Sequence, residues 1–470
     1  MLTLETWKQI RETIDQALEY DPNPPIVVEK DGMTVIVSDS LPPEANAMAL
    51  AMYSRSPKSF LVHLQEVLKK GWQKFMGQFY VGYGHKSIGD CGSTTVCTEN
   101  VSMLVAKAVQ DYKLYKGQEA STRYLDMANQ RVLNPLGTPE GEDIQNLWMT
   151  LYKKVLAELI PYLTEKYPAL PTDDPKVYEK AIKAKAFDIA RAFLPAGCTT
   201  YVGWHTTLRE AWDHLKELSF HPLLEVRESA QMMLSGLREK YPNSFNFKSY
   251  PEQDTFFEKC SVRTYHKPGT LSESVDWREG GSFSGWTEID PGYMNQQTLD
   301  LLSTRPQKTE LPDWFNKYGL FQFRFLLDFG SFRDLQRHRS CTQLMPLLTT
   351  KCGFNDWYLK SLPENLKTEV LETLAIQEER IAKIDDPLIR QYYIAMGYNV
   401  FCHVVAGLPS AVYIAELRSG QAVHPTLRRI AQKMANFLVR TIPEMALHVD
   451  YSGDEWSTAR GKHDIVKKEE

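Results

Sequence analysis

Two stretches of this chain repeat one another, and the repeat limits the folds open to it. Leu194-Pro-Ala-Gly197 is followed by Glu217-Leu218, His221-Pro222 and Ser229-Ala-Gln-Met-Met233. Ala395-Met-Gly397 is followed by Leu417-Arg418, His424-Pro425 and Ile430-Ala-Gln-Lys-Met434. Twenty-one residues separate Gly197 from Leu218, and again Gly397 from Arg418. Equal spacing over a helical stretch points to duplication, so the 470 residues divide into two related halves. The expected division is 1–248 and 249–470, with a connector at the start of the second part.

Local patterns fill in the halves. Leu4 to Leu18 has apolar residues at helical spacing and is broken by Asp21-Pro-Asn-Pro-Pro25. Thr34 to Val37 predicts a short strand. Phe60, Leu61, Leu64, Val67, Leu68 and Trp72 predict an amphipathic helix over 57–76. Further helices are expected at 147–163, 177–194, 208–218 and 224–239. The stretch 241–300 is rich in Ser, Gly, Pro and aromatics, including Gly280-Gly281, and reads as a connector with short strands.

Composition excludes several classes. Lys+Arg 54 against Asp+Glu 59 gives a net charge of −5, which offers no broad footprint for nucleic acid or an anionic membrane. Seven cysteines contain no Cys-x-x-Cys pair, so neither a disulfide framework nor a metal site is expected. The N-terminus carries acids and lacks the apolar core of a signal peptide. No run reaches the ~18 apolar residues of a membrane span. The expectation is a soluble cytoplasmic protein.

Three clusters could carry chemistry. In Arg333-Asp-Leu-Gln-Arg337-His338-Arg339, arginines flank a histidine after the apolar run Phe321–Phe329. Guanidinium forks match phosphates and carbonyl edges. The other reading is a solvated helix end with Asp334 pairing an arginine. Gln118-Glu119-Ala120-Ser121-Thr122-Arg123-Tyr124 offers hydroxyl and guanidinium donors for a phosphate, or else a capped helix start. Gly84-His85-Lys86-Ser87-Ile88-Gly89-Asp90 suits a close approach to a ligand, although a lone histidine in such a turn is more often structural. There is no GxGxxG, HExxH or GxSxG motif. No cysteine stands in a nucleophile pattern, and Cys91 and Cys97 read as buried thiols.

These clusters resemble the flavin-dependent thymidylate synthases (ThyX). That family has an Arg-His-Arg signature followed by Ser-x-Arg-Tyr, an upstream Gly-His-x-Ser, and a later Ala-Arg-x-x-Leu-Pro leading to an Asn-Leu-Arg helix. Here the signature is split. The first half has Gly84-His85-Lys86-Ser87, Ser121-Thr122-Arg123-Tyr124, Ala190-Arg191-Ala-Phe-Leu-Pro195 and Thr207-Leu208-Arg209. At the Arg-His-Arg position it has Asp111-Tyr112-Lys113. The second half has Arg337-His338-Arg339, but Met345-Pro-Leu347-Leu-Thr349-Thr350 replaces Ser-x-Arg-Tyr. Arg418 answers Leu218, and Gln391 answers Arg191. What one half lacks the other keeps.

The resemblance implies an α+β fold of two tandem lobes, each a small sheet packed with several long helices. It implies FAD, with NADPH and methylenetetrahydrofolate as co-substrates, and reductive methylation of dUMP to dTMP. Carried over by motif, the FAD contacts are His85, Ser87, Glu119, Arg209, Arg337, His338 and Arg339. The dUMP contacts are Gln118, Glu119, Ala120, Ser121, Thr122, Arg123, Arg191, Arg337 and Arg418, with Arg418 the catalytic residue at the pyrimidine edge. A homodimer of two-lobed chains would reproduce the family's four lobes. Two other readings stay open: an enzyme making another 5-substituted pyrimidine nucleotide, and a nucleotide-binding protein without catalysis.

Overall fold

The computed structural model describes residues 25–31, 33–39, 41–248, 250–265 and 283–462. The expected helix Leu4–Leu18 and the Gly280-Gly281 pair lie outside them. Nine strands are described: β1 (Ile26–Lys30), β2 (Met33–Val37), β3 (Ser93–Ser102), β4 (Lys116–Glu119), β5 (Thr199–Thr207), β6 (Phe283–Thr287), β7 (Leu320–Asp328), β8 (Cys341–Leu344) and β9 (Asn399–Gly407). Small sheets among many helices make the fold α+β, as expected.

The chain forms two compact units. One comprises the residues up to Val96 with His205–Lys216 and Ala230–Pro251; the other comprises Cys97–Trp204, Glu217–Ser229 and the chain from Glu252 onward. In the first, the β1–β2 hairpin precedes the helices Pro43–Tyr53 and Phe60–Lys70. The second helix is shorter than its apolar pattern suggested. Ser59 caps its start, and Gly71 ends it at φ +73°, a left-handed conformation that glycine adopts without a Cβ clash. A π-helical stretch, Met76–Gly82, follows after a short turn. It places Tyr80 in the core, edge-on to Phe247 at 5.3 Å.

The element order records the duplication. The 3-10 turns Arg191–Phe193 and Gln391–Tyr393, the strands β5 and β9, and the starts of the helices Leu208–Leu218 and Leu408–Ser419 each recur two hundred residues apart. The two sheets share one neighbour order, β3-β5-β4 and β7-β9-β8, with β6 added beside β7. The helices at 208–218 and 224–240 keep the expected bounds within a residue. The predicted helix 177–194 is Pro175–Ala190 with a final 3-10 turn. The connector corrects the expectation, because Pro251–Tyr265 is a helix of 15 residues. Its apolar side is short and irregular, so periodicity did not reveal it.

The repeats meet back to back through their equivalent residues. Ala196 N–H donates to the Ile394 carbonyl, and Met396 N–H to that of Leu194, both at 2.9 Å. Gly197 N–H donates to Tyr392 and Gly397 N–H to Ala192, both at 2.8 Å. Each bond is the other's counterpart under exchange of the halves, the mark of an isologous contact. Both glycines are needed for close approach. A Cβ on Gly197 would lie 2.7 Å from the Tyr392 carbonyl oxygen, and one on Gly397 would strike the Phe354 ring. Side chains reinforce the seam: Trp148 Nε1 donates to the Tyr393 carbonyl at 2.8 Å, and Gln377 Nε2 to that of Ile144 at 2.8 Å.

Candidate active site

Strand β7 ends at Asp328, whose carboxylate accepts from Ser331 N–H at 2.9 Å and so starts the helix Phe329–Leu335. That helix presents Arg333 and Asp334 and then delivers Arg337, His338 and Arg339. Arg333 is buried and forks onto Glu119, with a further bond to the Ala120 carbonyl at 3.2 Å. Glu119 also accepts from Gln110 Nε2 at 2.7 Å. The acid proposed for ligand contact thus anchors the 118–123 segment of the first half onto the second half. Ala120 is buried beside it and Gln118 is exposed on β4.

The next residues turn toward the same place. Ser121 is half-buried, and Thr122 and Arg123 are buried. Arg123 forks onto Asp188, with Nε to Oδ1 at 2.7 Å and Nη2 to Oδ2 at 3.0 Å, and reaches the Ala422 carbonyl at 3.2 Å. Arg191 is almost fully buried. Its Nη2 donates to Ser331 Oγ at 2.9 Å and its Nη1 lies 3.7 Å from Asp334, while its Nε has no partner among the described residues. Arg418 donates from Nε to His338 Nε2 at 2.7 Å and from Nη2 to the Asp334 carbonyl at 2.5 Å.

Asp334 is therefore the focus of four cations. Burial pushes its carboxyl up, but Arg123, Arg191, Arg418 and Arg337 outweigh burial and hold it below the usual carboxylate range. Two of these arginines come from each half. His338 sits edge-on to Tyr413 at 5.6 Å. Burial, helped by the Arg418 charge, pushes its pKa down to about 3. It is a neutral imidazole at physiological pH. Because Nε2 accepts from Arg418, its proton resides on Nδ1. Burial also lowers the Arg418 pKa, against support from Asp334.

A cleft of about 630 Å³ opens over Arg337, His338, Arg339, Tyr413 and Arg418. A second, of about 520 Å³, shares His338 to Cys341 with it and runs toward Lys113 and Thr342. The counterpart junction is closed. Two hundred residues beyond Asp188 and Arg191 stand Leu388 and Gln391. They line a space of only about 20 Å³ with Asp111, Leu347, Leu223 and their neighbours, room for about one water. Asp111 there is satisfied by Lys107 and Gln336.

Residues 36–243 match the family model described as thymidylate synthase complementing protein. That stretch is similar to the family. Three relatives extend the likeness over both halves. "UPF0159" proteins of Chlamydia muridarum and Chlamydia pneumoniae are 24% and 26% identical, each over 79% of this chain and 80% and 79% of their own lengths. One of Thermoplasma acidophilum is 23% identical over 80% of this chain and 88% of its own.

The remaining motif residues within the matched stretch lie in the first unit. His85 and Ser87 are exposed around the short helix Lys86–Gly89. Lys86 pairs with Asp213 at 2.8 Å and Arg209 with Asp90 at 2.9 Å, which ties the Gly-His-Lys-Ser turn to the helix beginning at Leu208. The family's FAD can be tested against the residues present. Arg337 forms no ion pair among the described residues, and Arg339 is bonded only to the Tyr115 carbonyl. Two guanidiniums without an ion pair among the described residues, along connected clefts that Glu310 and Asp313 also line, fit an anionic, extended cofactor. Among the described residues no metal-ligand cluster occurs, and no helix is long and apolar enough to cross a membrane.

Sequence reasoning missed Asp188 as an anion and Arg333 as an anchor, and the Asp334–arginine pairing it considered is buried instead of lying at a solvated helix end. Asp188 and Arg191 share a helix turn, which signals a charged face, yet each finds its partner elsewhere. It also misread the thiols: Cys97 is exposed and Cys91 half-buried, because Cys97 falls on the outward side of β3.

Proposed function

We propose that this protein is a flavin-dependent thymidylate synthase that methylates dUMP reductively to dTMP, with methylenetetrahydrofolate and NADPH. The observation that carries the reading is the convergence of Arg123 and Arg191 with Arg337 and Arg418 around one carboxylate. The site residues kept by only one half are thus assembled within a single chain. A site of this charge suits a nucleotide monophosphate.

Arg337 and Arg339 would hold FAD along the neighbouring cleft, where it would supply the hydride of this chemistry. The chain's own groups bind and polarise. Arg123 keeps Nη1 free of protein partners and offers it to the phosphate, with Ser121 beside it. Arg418 lies where a pyrimidine carbonyl edge would meet a cation, which favours the N3-deprotonated, more nucleophilic ring. His338 fixes the direction of Arg418 by accepting from its Nε. Buried neutral, it adds no competing charge. Among the cysteines, burial raises the thiols of Cys198, Cys341, Cys352 and Cys402, which suits chemistry without thiolate attack.

The test is incubation of purified protein with dUMP, methylenetetrahydrofolate and NADPH, followed by mass analysis of the nucleotide. A gain of one methyl group in place of hydrogen is expected. A different added mass would point to another 5-substituted product, and binding without conversion to a non-catalytic role.

A further inference from the structure

Behind Arg123 lies a cavity of about 170 Å³ that belongs to neither cleft described above. Its wall includes Lys185 and Asp188 from the helix Pro175–Ala190, and Trp456 and Arg460 from the last described segment of the chain. Neither Lys185 nor Arg460 belongs to the motifs of the first half or of the second. The C-terminal segment is firmly seated. The Trp456 ring stacks on Tyr167 at 4.8 Å, and Arg460 lies 5.4 Å from the Tyr124 ring centre.

Charge in this cavity is unbalanced. Asp188 serves both Arg123 and Arg460. Lys185 has no ion pair among the described residues and rests 5.2 Å from the centre of the Trp357 ring. Burial lowers its pKa; Asp454 opposes that, and Arg460, Lys166 and Arg123 add to it. Arg428 is already compensated by Asp450 at 3.2 Å and Asp454 at 3.7 Å. Glu455 is exposed at the rim. Arg123 and Arg460 thus share one buried carboxylate, and the acid that acts on Lys185, Asp454, is also claimed by Arg428 and Arg429. Arg460 keeps Nε and Nη2 buried without a hydrogen-bond partner among the described residues, and a buried donor left unpaired is destabilising. An anion placed here would satisfy the donors and relieve the repulsion together. At about 30 Å³ per water, the space of about 170 Å³ has room for a tetrahedral oxyanion with a few waters.

We propose that Lys185 and Arg460 close a phosphate clamp on Arg123, so that the C-terminal segment supplies a binding residue absent from the family motifs. The bound group is a phosphate monoester dianion. That it is the 5′-phosphate of the nucleotide rests on the function proposed above; the anion site itself does not.

Calorimetric titration of the full-length protein tests this, with dUMP, deoxyuridine and inorganic phosphate as probes. Arg460→Gln and Lys185→Gln are each expected to raise the Kd for dUMP at least tenfold and to leave deoxyuridine binding unchanged. Lys183→Gln, on the same helix but exposed and paired with Glu179, should match the parent. If Arg460→Gln does not fold by circular dichroism, Arg460→Lys and Lys185→Gln carry the test. Affinity for dUMP within twofold of the parent in these variants would overturn the clamp and leave the nucleotide reading intact. Phosphate binding that depends on Arg460, without dUMP binding, would support the clamp and sink the nucleotide reading. Failure of the parent to bind either would overturn both.

Discussion

Arg418 and His338 form one device. Arg418 points because His338 accepts from its Nε, and His338 stays neutral because burial and the arginine charge disfavour its protonated form. Arg418→Leu removes the cation and makes this position like Leu218 of the other half. Turnover is expected to fall at least ~100-fold, or about 2.7 kcal/mol of transition-state stabilisation, with the far-ultraviolet circular dichroism retained. Unchanged turnover would remove Arg418 from the chemistry. The histidine gives a second prediction. Its folded pKa of about 3 lies below the ordinary 6.5, so the unfolded chain binds its proton first as pH falls. The stability it supports is complete above 6.5 and is lost progressively as pH drops from 6.5 toward 3. Urea unfolding across that window should show a flatter pH dependence for His338→Asn than for the parent; equal slopes would mean that His338 is not buried neutral.

The helix Phe329–Leu335 and the segment 118–123 are separate elements clamped by one buried ion pair. Its geometry is good, since Arg333 forks onto Glu119 and adds the Ala120 carbonyl. Breaking such a pair leaves a charge without a partner and costs about 3–5 kcal/mol, whereas removing both charges costs far less. Arg333→Met should therefore lower the urea midpoint sharply. Adding Glu119→Gln should restore much of the loss, because the amide no longer needs a cation. If the double variant is as unstable as the single one, packing rather than charge holds this contact. The sequence drew attention to Glu119 as a ligand group, and its motif position gave no hint that Arg333 would claim it.

On the scale of the whole molecule, the back-to-back seam gives each chain two pseudo-equivalent junctions of unequal fate. One gathers four arginines beside open clefts. The other holds Asp111, Leu347 and Leu388 around a space with room for about one water. An anionic cofactor finds no room there, and the lysine at that junction, Lys107, is paired with Asp111. We expect one FAD per chain, in a dimer of two-lobed chains. Flavin absorbance against protein concentration, with mass by light scattering, checks both numbers. Two tightly bound flavins per chain would show that the closed junction opens and that the division of labour between halves is wrong.

The sequence by itself determined the duplication, the helices that follow Thr207 and His221, and which half keeps each signature residue. These are local patterns. Spacing of apolar and signature residues survives because each helix must present the same face to the core. Tertiary structure alone decided which charge meets which. Arg123 finds Asp188 across 65 positions and the Ala422 carbonyl across 299, and Arg333 finds Glu119 across 214. It also decided that leucines would seal one junction while Arg460 reached the other. Charge compensation in a buried site depends on distance in space, where low dielectric makes each pairing strong, and no periodicity along the chain records it.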